Sequence, residues 1–193
     1  MMDDEITQIE RARQGDPDAF RQLVEAHSAE LFRLAYRLLG ETEAADDVVQ
    51  EAFLKAYRSL PRFDGRSRFG TWLHRITVNC AMDHLRRRRR EAERHSPDAM
   101  EELLERRESS SPGPDRVVWS GQVERQMARS LDRLSPLERT AFLLRHFEER
   151  SIGEISLVLG SGASATKHAI FRAVKKLRQD LAPWVEADHA RTA

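Results

Sequence analysis

One cysteine, Cys80, stands among 193 residues, so no disulfide can form within the chain. That suits a reducing cytoplasm, and Cys80, set among apolar residues, reads as a small buried hydrophobe rather than a reactive thiol. No apolar run approaches the ~18 residues that a membrane span needs. The first ten residues, MMDDEITQIE, are acidic where a signal sequence would be basic and then apolar. Neither membrane insertion nor export is expected. No stretch alternates apolar and polar residues as a half-buried strand does. Aromatics make up 7% of the chain against 33% charged residues, which suits small helical units with thin cores. Five of the seven prolines fall at helix starts or in one linker, so the expected fold is all-α. The seven histidines are scattered rather than gathered with other ligand-type residues, so no metal, cofactor or catalysis is expected.

Charge is present in quantity but sorted. The 32 basic and 32 acidic side chains cancel overall. Residues 1–60 nevertheless hold 7 basic against 13 acidic groups, a net of −6, while residues 61–90 hold 9 against 2, a net of +7. Residues 91–120 return to −4, with 4 basic and 8 acidic groups. Such a field calls for a polyanion at the centre and a basic partner surface near the N-terminal half.

The positive centre is FDGRSRFGTWLHRITVNCAMDHLRRRRR, Phe63 to Arg90. Asp64-Gly65 and Ser67 mark a tight loop carrying Arg62, Arg66 and Arg68. From Phe69 the pattern is helical: Phe69, Trp72, Leu73, Ile76 and Cys80 fall within an arc of roughly 100°. Arg68, Arg75, Asn79, Met82 and Arg86 form a second stripe, with Trp72 at the seam. Guanidinium groups hold phosphates, an aromatic ring stacks on an unpaired base, and Asn reads a base edge. The alternative is a solvated face with Trp72 as ordinary core. Arg86 to Arg90, five like charges in a row, favour a polyanion nearby.

In chain order, a first helix is expected over Glu5–Gln14. Asp16-Pro17 then caps a helix carrying Phe20, Leu23, Val24, His27, Leu31, Leu34, Ala35 and Leu38 on one side, ending at Gly40. His27 reads as a core residue, with no second ligand-type residue expected beside it. Thr42 is expected to cap the next helix, whose inner face is Ala45, Val48, Val49, Ala52, Phe53, Ala56 and Leu60. Its outer stripe, Asp47, Gln50, Glu51, Leu54 and Arg58, is acidic around one apolar residue. That suits a basic partner with an apolar anchor, or is a solvated face with a stray leucine. Glu93–Gly121, rich in acids and then Ser, Pro and Gly, reads as a linker with one helical turn near Met100–Arg107.

Beyond it lies a second helical unit. Ser135-Pro136-Leu137-Glu138 and Ser151-Ile152-Gly153-Glu154 are capping boxes. The helix from Ile152 stops at Gly160, and another is expected from Ser164 to Leu181, forming a helix-turn-helix. It turns Thr166, Ile170, Val174, Leu177 and Leu181 inward. Lys167, His168, Phe171, Arg172, Lys175, Lys176 and Arg178 face outward, with no acid between Ser164 and Gln179, a basic patch suited to a major groove.

Ala44–Leu60 and Phe63–Arg90 together closely resemble the second region of extracytoplasmic-function sigma factors, and Leu131–Leu181 resembles their fourth region. The resemblance implies two small helical domains: residues 5–92 for the polymerase clamp and −10 element, 122–183 for the −35 element. Residues 93–121 would link them, and 184–193 would form a C-terminal tail. It also implies core RNA polymerase as partner, through the β′ clamp coiled coil and the β flap, with promoter DNA and an anti-sigma protein. Asp47, Gln50, Glu51 and Leu54 would meet the clamp. Arg62, Asp64, Arg66, Ser67 and Arg68 would line a pocket for a flipped −10 base, with Trp72, Arg75, Asn79 and Arg86 on the opening strands. Lys167, His168, Phe171, Arg172, Lys175 and Lys176 would contact the −35 duplex. Ser161, Ala163 and Thr166 stand where the family usually has aliphatic residues, and Ala169 where it commonly has a basic one. The competing reading is a stand-alone helix-turn-helix regulator that binds duplex DNA without polymerase.

Overall fold

Within a computed structural model of the chain, residues 2–94 and 121–192 are described here. Two compact units divide at Arg94 and His95, and every element of the described residues is helical. The expected Met100–Arg107 turn lies outside the described residues.

The first unit is built from α1 (Met2–Arg13), α2 (Pro17–Leu39), α3 (Thr42–Ser59), a 3₁₀ turn (Leu60–Arg62) and α4 (Phe69–Arg94). Asp16 caps α2 by accepting from the Asp18 and Ala19 amides at 2.9 and 3.2 Å, and Pro17 takes the first helical position, where no N–H is needed. Gly40 ends α2 in a left-handed conformation, φ 79°. Thr42 does not cap α3. The cap is Glu41, whose side chain makes no capping bond and instead reaches Arg88 at 2.8 Å. The inner face of α3 is buried as its spacing predicts, from Ala45 through Ala56, with Leu60 beyond it. The buried side of α4 is wider than the apolar arc: Thr71, His74, Thr77, Val78 and Ala81 are as enclosed as Leu73 and Cys80. Thr77 is tolerated because its hydroxyl donates to the Leu73 carbonyl, 3.0 Å away within the same helix.

The second unit contains α5 (Gly121–Asp132), α6 (Pro136–His146), α7 (Ile152–Leu159) and α8 (Ala163–Thr192). Both capping boxes form in full, at Ser135/Glu138 and Ser151/Glu154. α8 runs through Pro183 to Thr192, past the boundary expected near Leu181. Its core face also differs from the expectation. Thr166, Ala169, Ala173 and Leu177 are the buried residues, while Ile170, Val174 and Leu181 are half-buried. Ala169 is therefore not a DNA-facing position that has lost a charge: at 0% exposure it is core.

The departures at the helix-turn-helix turn have a structural counterpart. Thr166, 1% exposed, lies 2.9 Å from both the Ser156 and the Ser161 hydroxyls. Ser156 donates to the Ile152 carbonyl at 2.7 Å, so its own proton is committed. The chain then has one direction: Ser161 donates to Thr166, Thr166 to Ser156, and Ser156 to the backbone. A relay of hydroxyls fastens α7 to α8 where aliphatic packing was expected. Thr166→Val keeps the shape and cuts the relay, so it should lower stability by about 1–2 kcal/mol, while Thr166→Ser retains most of it. Chemical denaturation of the two variants checks this; a larger loss for Thr166→Ser would place the stabilisation in the methyl group instead.

Candidate nucleic-acid and partner-binding surfaces

The loop before α4 is shaped by one carboxylate. Asp64 Oδ1 accepts the Arg66 amide at 3.1 Å, and Oδ2 lies 3.2 Å from Arg66 Nε. Gly65 sits at φ +70°, with open space where a Cβ would be. A left-handed residue here turns the chain so that Arg62, Arg66 and Arg68 all stand in solvent, with Ser67 half-buried among them. The loop is anchored from below by aromatic packing. Phe63, 8% exposed, meets Trp72 at 5.1 Å between ring centroids and Phe69 at 5.6 Å. Trp72 also tilts against Phe69 at 5.5 Å. It is half-buried, so the seam position inferred from spacing is where the ring lies. Arg75, Asn79 and Arg86 are exposed along the same side of α4.

The arginine run is less bare than a row of like charges suggests. Arg86 pairs with Asp83 at 2.9 Å, Arg87 with Glu51 at 3.4 Å, and Arg88 with Glu41 at 2.8 Å. The inference from uncompensated charge therefore fails for these residues, because Asp83 on α4 itself, α3 and the α2–α3 turn supply carboxylates. Outside these pairs and that of Arg66 with Asp64 stand Arg62, Arg68, Arg75 and Arg90, all exposed.

On α3, Asp47, Gln50 and Leu54 are exposed, Leu54 at 58%. Glu51 is half-buried and occupied. Lys55 at 2.8 Å, with Arg87 assisting, holds its carboxyl below the ordinary range. The acidic stripe is thus reduced to Asp47, with Gln50 and Leu54 exposed beside it, while Glu51 ties α3 to α4. Cys80 is fully enclosed beneath this face, and burial pushes its thiol up, which fits the structural reading.

Sequence spacing understated His27. Glu30 stands three residues on, its carboxylate 3.9 Å from Nδ1, and Glu5 of α1 lies 2.9 Å from Nε2. The ring also meets Phe69 edge-on at 5.5 Å, and Glu30 lies 3.5 Å from buried His74 of α4. His27 is thus a junction of three helices beneath the aromatic anchor of the loop. The HxxE spacing of His27 and Glu30 was the available signal; Glu5, 22 residues away, gave none.

On α8 the outward residues Lys167, His168, Phe171, Arg172, Lys175, Lys176 and Arg178 are all exposed, Phe171 at 67%. The patch is opposed, however, by an acid from another helix. Glu138 of α6, 3% exposed, reaches Arg172 Nε at 3.0 Å and Lys176 Nζ at 2.7 Å. Burial alone would raise its carboxyl, but Lys176, the Ser135 amide and Arg172 bring it down to about 2. Beside α8 lies a groove of ≈ 580 Å³ with Ile152, Ile170, Phe171 and Val174 along its apolar wall. Arg145, Lys167 and Arg178 stand on its rim.

Two helical units, each presenting a basic helix face braced by its own core, form a two-headed nucleic-acid-binding protein. Residues 23–91 match the family described as Sigma-70 region 2, and residues 124–177 the family described as Sigma-70, region 4. The chain is 30% identical over 176 residues to the ECF RNA polymerase sigma factor SigW of Bacillus subtilis, spanning 90% of this chain and 94% of that protein. It is 33% identical over 178 residues to the RNA polymerase sigma-H factor of Pseudomonas aeruginosa, spanning 91% and 92%. Among solved structures, CnrH in complex with the cytosolic domain of CnrY aligns with a TM-score of 0.63 at 28% identity, covering 96% of this chain and 98% of CnrH. The sigma factor RpoE of Bartonella quintana has the same fold, with a TM-score of 0.67 at 21% identity over 84% of this chain and 96% of that one. The chain belongs to the ECF sigma factors of the sigma-70 family. Membership across nine-tenths of the sequence sets aside the stand-alone regulator. Among the described residues no helix is long and apolar enough to cross a membrane.

The His27 junction has a pH signature. Glu30 and then Glu5 raise its pKa above the usual value, against the opposing effect of burial. A raised folded-state pKa means a contribution fully present below the unfolded value of 6.5, and lost as pH rises through the folded value. Hydrogen exchange in α1, corrected for intrinsic rates, should therefore speed up across that range, and His27→Gln should flatten the dependence. Equal pH dependence in both proteins would detach the effect from His27.

Proposed function

We propose that this chain binds core RNA polymerase as a dissociable subunit, selects promoters by their −10 and −35 elements, and promotes strand opening in the cytoplasm without catalysis of its own. The observation that carries the reading is the order of the two sigma-70 regions, each placed over an exposed basic helix face. Asp47, Gln50 and Leu54 dock on the β′ clamp coiled coil: Asp47 draws a basic surface, Gln50 offers hydrogen bonds, and Leu54 supplies the desolvated anchor. Glu51 contributes by fixing α3. In the second unit the polymerase contact of this reading is the β flap; the groove beside α8, lined by Lys167, Phe171 and Lys175, belongs to the DNA-facing side. An anti-sigma protein holds the chain inactive by covering these surfaces. CnrH, similar in fold and at 28% identity, is solved in complex with the cytosolic domain of CnrY, which supports a protein partner of that kind.

In the first unit, the Asp64-shaped loop with Arg62, Arg66, Ser67 and Arg68 holds a flipped −10 base, while Trp72, Arg75, Asn79 and Arg86 engage the strands as they part. Unstacking costs a few kcal/mol per step, and stacking on an aromatic returns about 1–3 kcal/mol. A base therefore supports opening only if the loop holds it well. In the second unit Lys167, His168, Phe171, Arg172, Lys175 and Lys176 face the −35 duplex, largely through phosphates.

Leu54→Asp should weaken co-purification with core polymerase by tenfold or more, about 1.4 kcal/mol or above, with helical content unchanged. Undiminished association with the β′ clamp would remove that assignment. Asn79→Ala, exposed and outside the core, should reach the promoter as a closed complex yet open it slowly. A pre-melted −10 bubble should restore most of the activity, since the unstacking cost has been met in advance. Equal loss on duplex and pre-melted templates would instead favour simple duplex binding.

A further inference from the structure

The cations of α8 fall into two classes. Lys167, Lys175 and Arg178 meet no carboxylate among the described residues. Arg172 and Lys176, one helical turn apart, are both held by Glu138, with their side chains 53% and 47% exposed. At about 100° per residue, Lys167, Phe171 and Arg178 line one edge of the exposed face, His168 and Lys175 its centre, and Arg172 and Lys176 the far edge. That far edge borders buried Ala169 and Ala173.

Glu138 has little latitude. It is the third helical residue of the α6 capping box, its Oε2 accepting the Ser135 amide at 3.0 Å while its own amide donates to the Ser135 hydroxyl at 3.3 Å. Oε1 takes Arg172 and Oε2 takes Lys176. A carboxylate whose side chain is 5% exposed, fixed by its own helix start, cannot follow the cations outward. For either cation to give its full charge to a phosphate it must leave a charge-assisted bond and strip a buried carboxylate of a partner. The three groups together present one positive charge to DNA rather than two.

The geometry points to Glu138 as a positioning residue that limits how many phosphates the recognition helix can neutralise. By capping the sequence-independent part of the affinity, it leaves a larger share of binding to the base-facing residues His168 and Phe171. The inference rests on α8 as the −35-reading helix. It goes beyond that reading by assigning a role in specificity to a buried acid on a different helix, which touches no DNA.

The test uses the full-length chain bound to core RNA polymerase and a short mixed-sequence DNA duplex, with affinity followed against salt. Glu138→Gln should steepen the dependence of log K on log salt by about 0.9 for each cation released, so by about 1 to 2, and tighten binding at low salt. Adding Arg172→Gln to Glu138→Gln should return about half of that gain. Glu138→Asp, which keeps the charge on a shorter arm, should stay near the parent slope even if its melting temperature falls. A buried acid that only braces the fold predicts the opposite pattern: weaker binding with an unchanged or shallower slope in Glu138→Gln overturns the proposal. So does an equally steep slope in Glu138→Asp. Lys167→Ala and Lys175→Ala separate the two levels of inference. If they leave the parent's slope unaltered, α8 is not the DNA-reading helix. If they lower the slope while Glu138→Gln does not change it, the role given to Glu138 alone is wrong.

Discussion

Burial of one side of α4 against α2 and α3 fixes nearly everything else about the first unit. Phe69, Leu73, His74, Thr77, Cys80 and Ala81 are each 3% exposed or less, so the helix cannot rotate without opening the core. With the rotation set, Arg75 and Asn79 have no choice but to face solvent, and Trp72 must sit where core and surface meet. The loop from Asp64 to Ser67 inherits its position too, because Phe63 is clamped between Phe69 and Trp72. A rigid presentation of this kind lowers the entropy lost on binding, since the groups that meet a partner are already placed.

The same logic governs charge. Neutral overall, the chain sorts its charges by segment and then pairs many of them across helices. Arg87 reaches Glu51, Arg88 reaches Glu41, and Arg172 and Lys176 share Glu138. The exposed one among them, Arg87 with Glu51, adds little stability by itself. The larger effect of the pairs is on what remains: the basic faces carry fewer unmatched cations than a count of Lys and Arg suggests. For a protein that must leave non-specific DNA readily, that restraint matters more than the fraction of a kcal/mol in such an exposed pair.

How much was legible in the sequence divides along local and tertiary lines. Helix starts were readable because the signals act within four residues: Asp16 with Pro17, Ser135 with Glu138, and Ser151 with Glu154 all cap as their spacing predicts. The exposed stripes of α3, α4 and α8 were readable because helical period alone assigns residues to faces. Thr42 was misread because Ser, Thr and Asp are the favoured caps, whereas Glu41 fills the position through backbone geometry and spends its side chain on Arg88. The core of α8 was misread for a different reason. Bulk suggested Ile170 and Val174, but the buried face runs through Ala169 and Ala173, the latter clustered with Leu131 and Leu134, and an alanine announces nothing by periodicity.

Apart from Asp83, three residues before Arg86, the acids that restrain the basic faces were invisible for the plainest reason: they come from elsewhere in the chain, 34 to 47 residues away. Sequence segregation of charge still describes the long-range field, because that field depends on the sum of charges and hardly on their pairing. Affinity and selectivity depend on the pairing. A cation already bonded to a buried carboxylate adds to the field that draws DNA toward the surface, yet yields less when a phosphate arrives. Recruitment and grip are thereby set by different residues, the first by how many cations α4 and α8 carry, the second by which of them Glu41, Glu51, Asp83 and Glu138 leave unengaged.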